Sequence, residues 1–299
     1  MRSTMSVWIR VRAGRSATAL APFAVLLLFV EGCSDAPSVT IPSCRDCIVL
    51  ASHQCAQNGI AVTSANVYWT TYVSNLCESV YGIAKTGGLP STVGWSYNPQ
   101  GIAADNSGLY WANGEPSGSI LMAGDGGPGR TLVSGLVEPT ALAIDAVNVY
   151  WIDHGNGGSR TTSVMQISRT GGAPIALASN LLNPVAIAVD FENVYWVDGG
   201  TYYQYQYNNF PYDTVRSDGA VYQVPIGGGT VIQLASEQAG PIGVQTDGTS
   251  VFWSTMGNVD SNYVGQVQRA PVGGGMSTSL ASGRDIGGGW RSIPPTSTG

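Results

Sequence analysis

Apolar residues fall into short phrases along this chain, and Gly, Asn, Asp and Ser separate one phrase from the next. The phrases come in groups of four. They are clearest in the third group, as Ala141–Asp145, Val147–Asp153, Val164–Ser168 and Ile175–Ser179. The first phrase is almost continuously apolar, which is typical of a strand buried on both faces. With no long amphipathic helical stretch after residue 32, the pattern predicts short antiparallel strands joined by tight turns.

The second phrase of every group carries an aromatic residue followed by Trp. The five pairs are Tyr68-Trp69, Tyr110-Trp111, Tyr150-Trp151, Tyr195-Trp196 and Phe252-Trp253. A unit that recurs about every 40–45 residues indicates a repeat architecture. Four antiparallel strands in each unit make one blade of a β-propeller. Because successive residues of a strand point to opposite faces, we expect Tyr and Trp to lie on opposite faces of each blade.

Glycines join the third and fourth phrases of every group. They are Gly87-Gly88, Gly126-Gly127, Gly171-Gly172, Gly227–Gly229 and Gly273–Gly275. Gly permits the positive φ that tight hairpin turns demand, so each cluster predicts a hairpin.

The repeats resemble the YWTD/NHL class of β-propeller. The nearest matches are Tyr150-Trp151-Ile152-Asp153 and Tyr195-Trp196-Val197-Asp198, and the resemblance covers residues 57–282. It implies an all-β propeller of four-stranded blades, usually six, whereas the sequence shows five. Ile48–Ser52 is expected to be the fourth strand of a sixth blade. After Ser282 only 17 residues follow, without another Tyr-Trp pair, which favours an incomplete six-bladed type over a ring that closes on five blades.

The N-terminus has the pattern of an export signal. Basic residues precede the apolar run Ala17–Val30, which is short for a membrane span. The run ends before Cys33 and resembles a bacterial lipoprotein cleavage site, which implies lipidation of Cys33. We therefore expect a signal peptide at 1–32, a tether at 33–43, the propeller at 44–282 and a disordered or truncated tail at 283–299. The expected location is the cell envelope, with secretion as the alternative.

Charge limits the partners. Removing residues 1–32 takes away four arginines and one glutamate, so 9 basic and 18 acidic residues remain, with a net charge of −9. An acidic chain without a Lys/Arg cluster argues against nucleic acid. It also offers no attraction to anionic lipid, so membrane attachment would depend on the lipid anchor alone. A monomer that binds a protein or carbohydrate is expected.

Four further cysteines, Cys44, Cys47, Cys55 and Cys77, follow Cys33. An even number in an exported chain predicts two disulfides, with three possible pairings. The spacing of Cys44 and Cys47 also suits zinc, but no second such pair accompanies it. We expect disulfides that join the N-terminal segment to the first repeat.

Candidate catalytic chemistry is sparse. Asp105, Asp145, Asp190 and Asp247 end the first phrases, where a gluconolactonase-like propeller would hold a divalent cation. Their equivalent positions in four repeats favour turn capping instead. His53 and His154 are the two histidines, and His154 is expected at a blade edge. No catalytic residue, metal or cofactor is predicted.

An insertion breaks the repeat after Trp196. Trp196 is 23 residues from Gly219, whereas Trp253 is 12 from Gly265. The segment Gly199–Ser217 contains the binding candidates Tyr202, Tyr203, Tyr205, Tyr207 and Tyr212. Tyr is enriched in recognition surfaces, although a hairpin packed on its own blade is the alternative. The sequence therefore favours an exported, non-catalytic propeller that binds or scaffolds. A metal-dependent propeller hydrolase and a truncated, nonfunctional propeller are the alternatives.

Overall fold

The computed structural model describes residues 7–8, 10–12, 29–30, 47–51, 57–71, 79–96, 98–114, 117–124, 129–155, 162–207, 210–215, 217–257 and 264–283. Within these ranges the regular elements are all strands, and most of them form five four-stranded antiparallel sheets. The all-β prediction and the four-stranded unit are confirmed.

Four short strands precede the repeats: β1 (Val7–Trp8), β2 (Arg10–Arg12), β3 (Phe29–Val30) and β4 (Cys47–Val49). β1 pairs with β3, and β2 pairs with β4. Three of these strands therefore lie within the segment for which a signal peptide is predicted, a feature that the hydropathy pattern does not foresee. The signal peptide, the lipidation of Cys33 and the tether stay predictions.

Each blade is one sheet. Blade 1 contains β5 (Gln57–Val62), β6 (Asn66–Thr71), β7 (Ser79–Ala84) and β8 (Ser91–Trp95). Blade 2 contains β9 (Pro99–Asp105), β10 (Gly108–Asn113), β11 (Gly118–Ala123) and β12 (Arg130–Leu136). Blade 3 contains β13 (Pro139–Ile144), β14 (Asn148–Asp153), β15 (Thr162–Ser168) and β16 (Ile175–Leu181).

Blade 4 contains β17 (Pro184–Val189), β18 (Asn193–Asp198), β21 (Gly219–Pro225) and β22 (Ile232–Gln238). The insertion forms a separate two-stranded hairpin from β19 (Tyr202–Tyr207) and β20 (Phe210–Val215). Blade 5 contains β23 (Pro241–Thr246), β24 (Ser250–Thr255), β25 (Gly265–Pro271) and β26 (Thr278–Gly283). The fifth blade therefore ends at Gly283, one residue beyond the predicted limit.

The blades pack face to face through the predicted alternation. Tyr150 and Ile152 of blade 3 share a buried cluster with Trp196 of blade 4, whereas Trp151 packs with Tyr110 of blade 2. In blades 2 to 5 each Trp thus lies against the preceding blade, and in blades 1 to 4 each Tyr lies against the following one. All five Trp side chains of the repeat are almost completely buried. Complete burial of an aromatic side chain removes a large apolar area from water, which explains why this pair recurs.

The innermost strand of each blade packs beside that of the next, from β5 through β9, β13 and β17 to β23. Within the described residues, no comparable packing joins β23 to β5. Leu50 and Ala51, which follow β4, are buried against Trp69 of blade 1. A strand is thus present at Ile48 and Val49, but it pairs with β2 and not with the strands of a further blade, so its predicted place as the fourth strand of a sixth blade is not confirmed; Ser52 lies outside the described part.

The predicted hairpin turns are confirmed where they are described. Gly87, Gly171, Gly228 and Gly274 each have φ between 83° and 99°, and each N–H closes a tight turn at the end of the third strand. Gly126-Gly127 lies outside the described residues.

Candidate functional site

The two ends of the propeller differ in how their connections vary. At one end, the turn face, first and second strands are joined by two or three residues. At the other end, the loop face, second and third strands are joined by 7, 4, 8, 20 and 9 residues in blades 1 to 5. Variable connections on a rigid scaffold are where binding usually resides. The loop face is therefore the candidate functional surface.

The Asp residues of the turn face cap turns, as predicted. Asp145 Oδ1 accepts hydrogen bonds from the N–H groups of Val147 (2.7 Å) and Asn148 (2.6 Å). Its Oδ2 accepts the hydroxyl of Tyr150 at 2.7 Å. Burial, followed by this hydrogen bond, raises the pKa of Tyr150 above its ordinary value. These bonds occupy the carboxylate within its own blade.

The other three members of this set behave in the same way. Asp190 caps its turn and accepts the hydroxyl of Tyr195 at 2.7 Å, and Asp247 accepts the N–H groups of Thr249 and Ser250. Hydrogen bonds from Thr249 and Ser250 lower the pKa of Asp247. Asp105 caps its turn through Ser107 and also forms an ion pair with Arg169 of blade 3.

The central channel offers a different lining. It has a volume of about 390 Å³ and is bordered by the innermost strands, mainly at Ile, Ala and Val positions together with Gln245. Each innermost strand pairs on one edge only, so the channel wall presents main-chain N–H and C=O groups. No carboxylate lines this volume, and the described residues contain no group of three His, Cys, Asp or Glu placed to hold a metal ion.

A second set of acids, at the end of the second strand, braces the loop face. Asp198 Oδ2 accepts the N–H of Asn183 at 3.1 Å, and its Oδ1 accepts the N–H of Gly200 at 3.1 Å. The side chain of Asn183 donates back to the carbonyl of Gly200 at 3.1 Å. In blade 3, Asp153 accepts from Glu138 and Gly155. In blades 3 and 4 the acid thus ties the connection between the second and third strands to the loop that enters the blade.

This brace fixes the base of the inserted hairpin. Thr201 N–H donates to Asp218 Oδ1 at 2.8 Å, across the two ends of the insertion. Gly200 has φ of 77°, and a Cβ at this position would lie 2.5 Å from Asp218 Oδ1. Only glycine therefore fits the turn that leads from blade 4 into β19. Below the insertion β18 and β21 pair without interruption, from Asp198 opposite Ala220 to Asn193 opposite Pro225.

The register of the hairpin distributes the predicted tyrosines over its two faces. Tyr203 pairs with Thr214, Tyr205 with Tyr212 and Tyr207 with Phe210. Directly paired positions, and positions two residues apart on one strand, share a face. One face of the hairpin, the aromatic face, therefore carries the positions Tyr203, Tyr205, Tyr207, Phe210 and Tyr212. Tyr202 takes a position on the opposite face, beside Gln204 and Gln206.

The remaining candidates do not assemble into a site. His154 lies at the start of a loop-face connection, where its N–H donates to the carbonyl of Glu138 and its carbonyl accepts the hydroxyl of Thr162. His53, Cys33, Cys44, Cys55 and Cys77 lie outside the described residues, and Cys47 is in β4. The disulfides stay predictions. Within the described part of the chain, no helix is long and apolar enough to cross a membrane.

No family model and no curated protein matches this sequence. Solved structures, in contrast, share the fold. The chain is similar to one in a nidogen/laminin complex, with a TM-score of 0.58, 19% identity and 93% and 92% of the two chains covered. It is also similar to a putative TolB from Agrobacterium tumefaciens, with a TM-score of 0.58, 10% identity and coverage of 80% and 85%.

A gluconolactonase from Xanthomonas campestris is a third similar structure, with a TM-score of 0.50, 16% identity and 76% of each chain covered. At these identities the similarity concerns the fold alone. Together with the five four-stranded sheets, it identifies the chain as a β-propeller.

Proposed function

We propose that this protein is an exported, non-catalytic binding module of the cell envelope, anchored by lipid at Cys33. Binding takes place on the loop face, at the hairpin formed by β19 and β20. The observation that carries the proposal is the register of this hairpin, which collects five aromatic positions on one face.

The loop face supports this assignment through its construction. The hairpin interrupts blade 4 without disturbing the pairing of β18 with β21, so its length and sequence are independent of the scaffold. At the same time, Asp198, Asn183 and Asp218 hold its base in one orientation. A variable element on a preorganised base loses little conformational entropy when it binds.

The distribution of carboxylates also supports binding rather than hydrolysis. A metal-dependent hydrolase needs several oxygen ligands that converge on one point. Asp105, Asp145, Asp190 and Asp247 cap separate turns instead, and two of them also accept a Tyr hydroxyl of their own blade. Calorimetric titration of metal-stripped protein with Ca²⁺ and Zn²⁺ tests the hydrolase alternative, and a saturable heat of binding would favour it.

Removal of the hairpin tests the binding function directly. A variant in which a short Gly-Ser link replaces residues 202–215 should keep the melting transition of the native protein, because blade 4 pairs below the insertion. Both it and its reference protein carry Cys33→Ser, so that no lipid anchor holds them to the membrane, and the deletion variant should lose the co-sedimentation with cell-envelope material that the reference shows. Phe191→Ala serves as the control, because Phe191 is a 73% exposed aromatic residue on the turn face. If the folded deletion variant still co-sediments like the native protein, the hairpin is not the binding surface.

The anchor needs its own experiment. Mass spectrometry of the mature N-terminus should find a diacylated or triacylated Cys33, and Cys33→Ser should abolish this acylation and move the protein from the detergent phase to the aqueous phase of a Triton X-114 partition. An unmodified N-terminus upstream of Cys33 would contradict the lipoprotein assignment and would leave the binding function unaffected.

A further inference from the structure

We infer that the aromatic face of the hairpin binds a neutral polysaccharide, whose sugar rings stack on it. This inference rests on the binding function proposed above and names its ligand class. It follows from where the register places the aromatic positions, from the dimensions of two paired strands and from the charges around them.

The aromatic positions form a platform two strands wide. Tyr203, Tyr205 and Tyr207 follow one another on β19, while Phe210 and Tyr212 lie across from them on β20. Positions two residues apart on one strand span about 13 Å over three members, and the paired strands lie about 5 Å apart. A platform of this shape is long and narrow, and it suits a linear polymer better than a compact ligand.

The aromatic positions lie on a face of the hairpin and not along its edge, which favours a glycan over an extended peptide as the ligand. Peptides that add to a sheet use the main-chain groups of its edge strand, and their side chains fill pockets. The register places the aromatic residues on both strands and on one face, where no main-chain groups are offered. A sugar ring presents an apolar C–H face and a polar rim, and the Tyr side chain combines an apolar face with a polar tip in the same way.

Charge restricts the polymer to a neutral one. None of the five aromatic-face positions is ionisable at neutral pH, and Asp213 takes a position on the opposite face, paired with Gln204. At the base, Asp198 and Asp218 are both acidic. With a net charge of −9 on the chain after residue 32, a phosphorylated, sulfated or uronic-acid polymer would be repelled.

Two neighbouring pairs provide matched variants. Tyr205→Ala/Tyr212→Ala removes the central pair of the aromatic face, whereas Gln204→Ala/Asp213→Ala changes the adjacent pair on the opposite face. All proteins carry Cys33→Ser, which removes the lipid anchor, and their co-sedimentation is measured with envelope material that has been oxidised by periodate, which cleaves sugar diols, and separately with material that has been treated with protease. The aromatic pair variant should lower the affinity about tenfold or more, and the opposite pair variant should leave it unchanged.

The two treatments distinguish the outcomes. Periodate should abolish binding, protease should not, and raising NaCl from about 0.05 to about 0.5 M should have little effect, because a neutral ligand is not screened. Hairpin-dependent binding that protease removes and periodate spares would overturn the polysaccharide and leave the binding module in place. A salt-sensitive interaction would overturn the neutral character of the ligand. Co-sedimentation that does not depend on the hairpin would overturn both proposals.

Discussion

The contact between blades 3 and 4 and the contact between blades 4 and 5 are formed by equivalent strands. The first is apolar, whereas the second contains buried hydrogen bonds. At the first contact the core is apolar, and the indole Nε1 of Trp196 has no hydrogen-bond partner among the described residues. At the second, Trp253 Nε1 donates to Gln238 Oε1 at 2.8 Å, and Gln268 donates to the same oxygen at 2.8 Å. Gln238 is buried, with 8% of its surface exposed.

The difference comes from a single strand position. Gln238 ends β22, and Leu181 ends β16 at the equivalent place, each three residues before the Pro that begins the next blade. Leu181 packs against the apolar cluster around Trp196. The propeller therefore accepts either an apolar or a polar residue here without a change of backbone. A buried polar side chain, however, requires a hydrogen-bond partner. Gln238 of blade 4 and Trp253 of blade 5 are therefore matched to each other.

The largest effect is expected from the Trp residues themselves. Trp196→Ala should lower the free energy of unfolding by about 3–5 kcal/mol, because it removes a fully buried side chain that also stacks on Tyr222 with ring centroids 5.4 Å apart. Urea titration followed by circular dichroism measures the change. A loss below about 1 kcal/mol would mean that the blades do not depend on this contact.

The polar contact is tested by Gln238→Leu, which copies the apolar one. Because it leaves the indole N–H of Trp253 and the amide of Gln268 without this acceptor, it should cost about 1–3 kcal/mol. Gln233→Leu is the control, since Gln233 lies on the same strand but is exposed. Equal stability of the two variants would show that the hydrogen bonds at Gln238 contribute nothing.

The reverse change, Leu181→Gln, should be tolerated. The new amide would reach the unpartnered Nε1 of Trp196, and this bond should offset part of the lost apolar packing. We expect a stability within about 1 kcal/mol of the native protein. Leu181→Ala, which removes the packing without supplying a bond, should be less stable than Leu181→Gln. If Leu181→Gln and Leu181→Ala unfold at the same urea concentration, the new amide contributes no stabilising bond to Trp196, and the residue at this strand position does not by itself determine whether the contact is apolar or polar.

A third, ionic contact joins blades 2 and 3. Arg169 donates to Asp105 and lies over the ring of Tyr110, 5.2 Å from its centroid. Desolvation acts to raise the pKa of Asp105, but hydrogen bonds from Arg169 and Ser107 outweigh it and hold the pKa at about 2, below the ordinary 3.8. Since the folded-state pKa is lowered, the stabilisation is complete above about pH 4 and is lost as the pH falls towards 2.

This ionic effect should be the smallest of the four. Asp105 is 39% exposed, so solvent screening limits the contribution to about 1 kcal/mol. Urea midpoints between pH 6 and pH 2.5 should fall more steeply for the native protein than for Asp105→Asn. Parallel pH profiles for the two proteins would show that the ion pair is not coupled to folding.

Sequence periodicity was sufficient to predict the blades because the four strands of each blade lie close together in the sequence. Strand limits such as Asn148–Asp153 and Ile175–Leu181 agree closely with the predicted phrases, since Asp, Asn or Gly turns lie directly before these strands in the sequence. The turn caps at Asp145 and Asp190 were predicted for the same reason. The N–H groups that donate to them lie two or three residues away.

Contacts between blades were harder to predict from the sequence. Arg169 and Asp105 are 64 residues apart, and nothing in their local sequence links them. Gln238 did carry a signal, because it replaces the Leu that ends the fourth strand in blades 2 and 3. The insertion after Trp196 was recognised by its length. The division of its tyrosines between two faces required the register of β19 and β20.

The strand order of the blades has a consequence for how the chain folds. Apart from the bridge over the hairpin, each hydrogen-bonded pair within a blade joins strands that are consecutive in sequence. Such a chain can fold from its N-terminus as it is synthesised, one blade at a time, and local pairing favours fast folding. Each finished blade briefly exposes its Tyr until the Trp of the next blade covers it. Phe252, at the equivalent position in blade 5, is partly buried among the described residues.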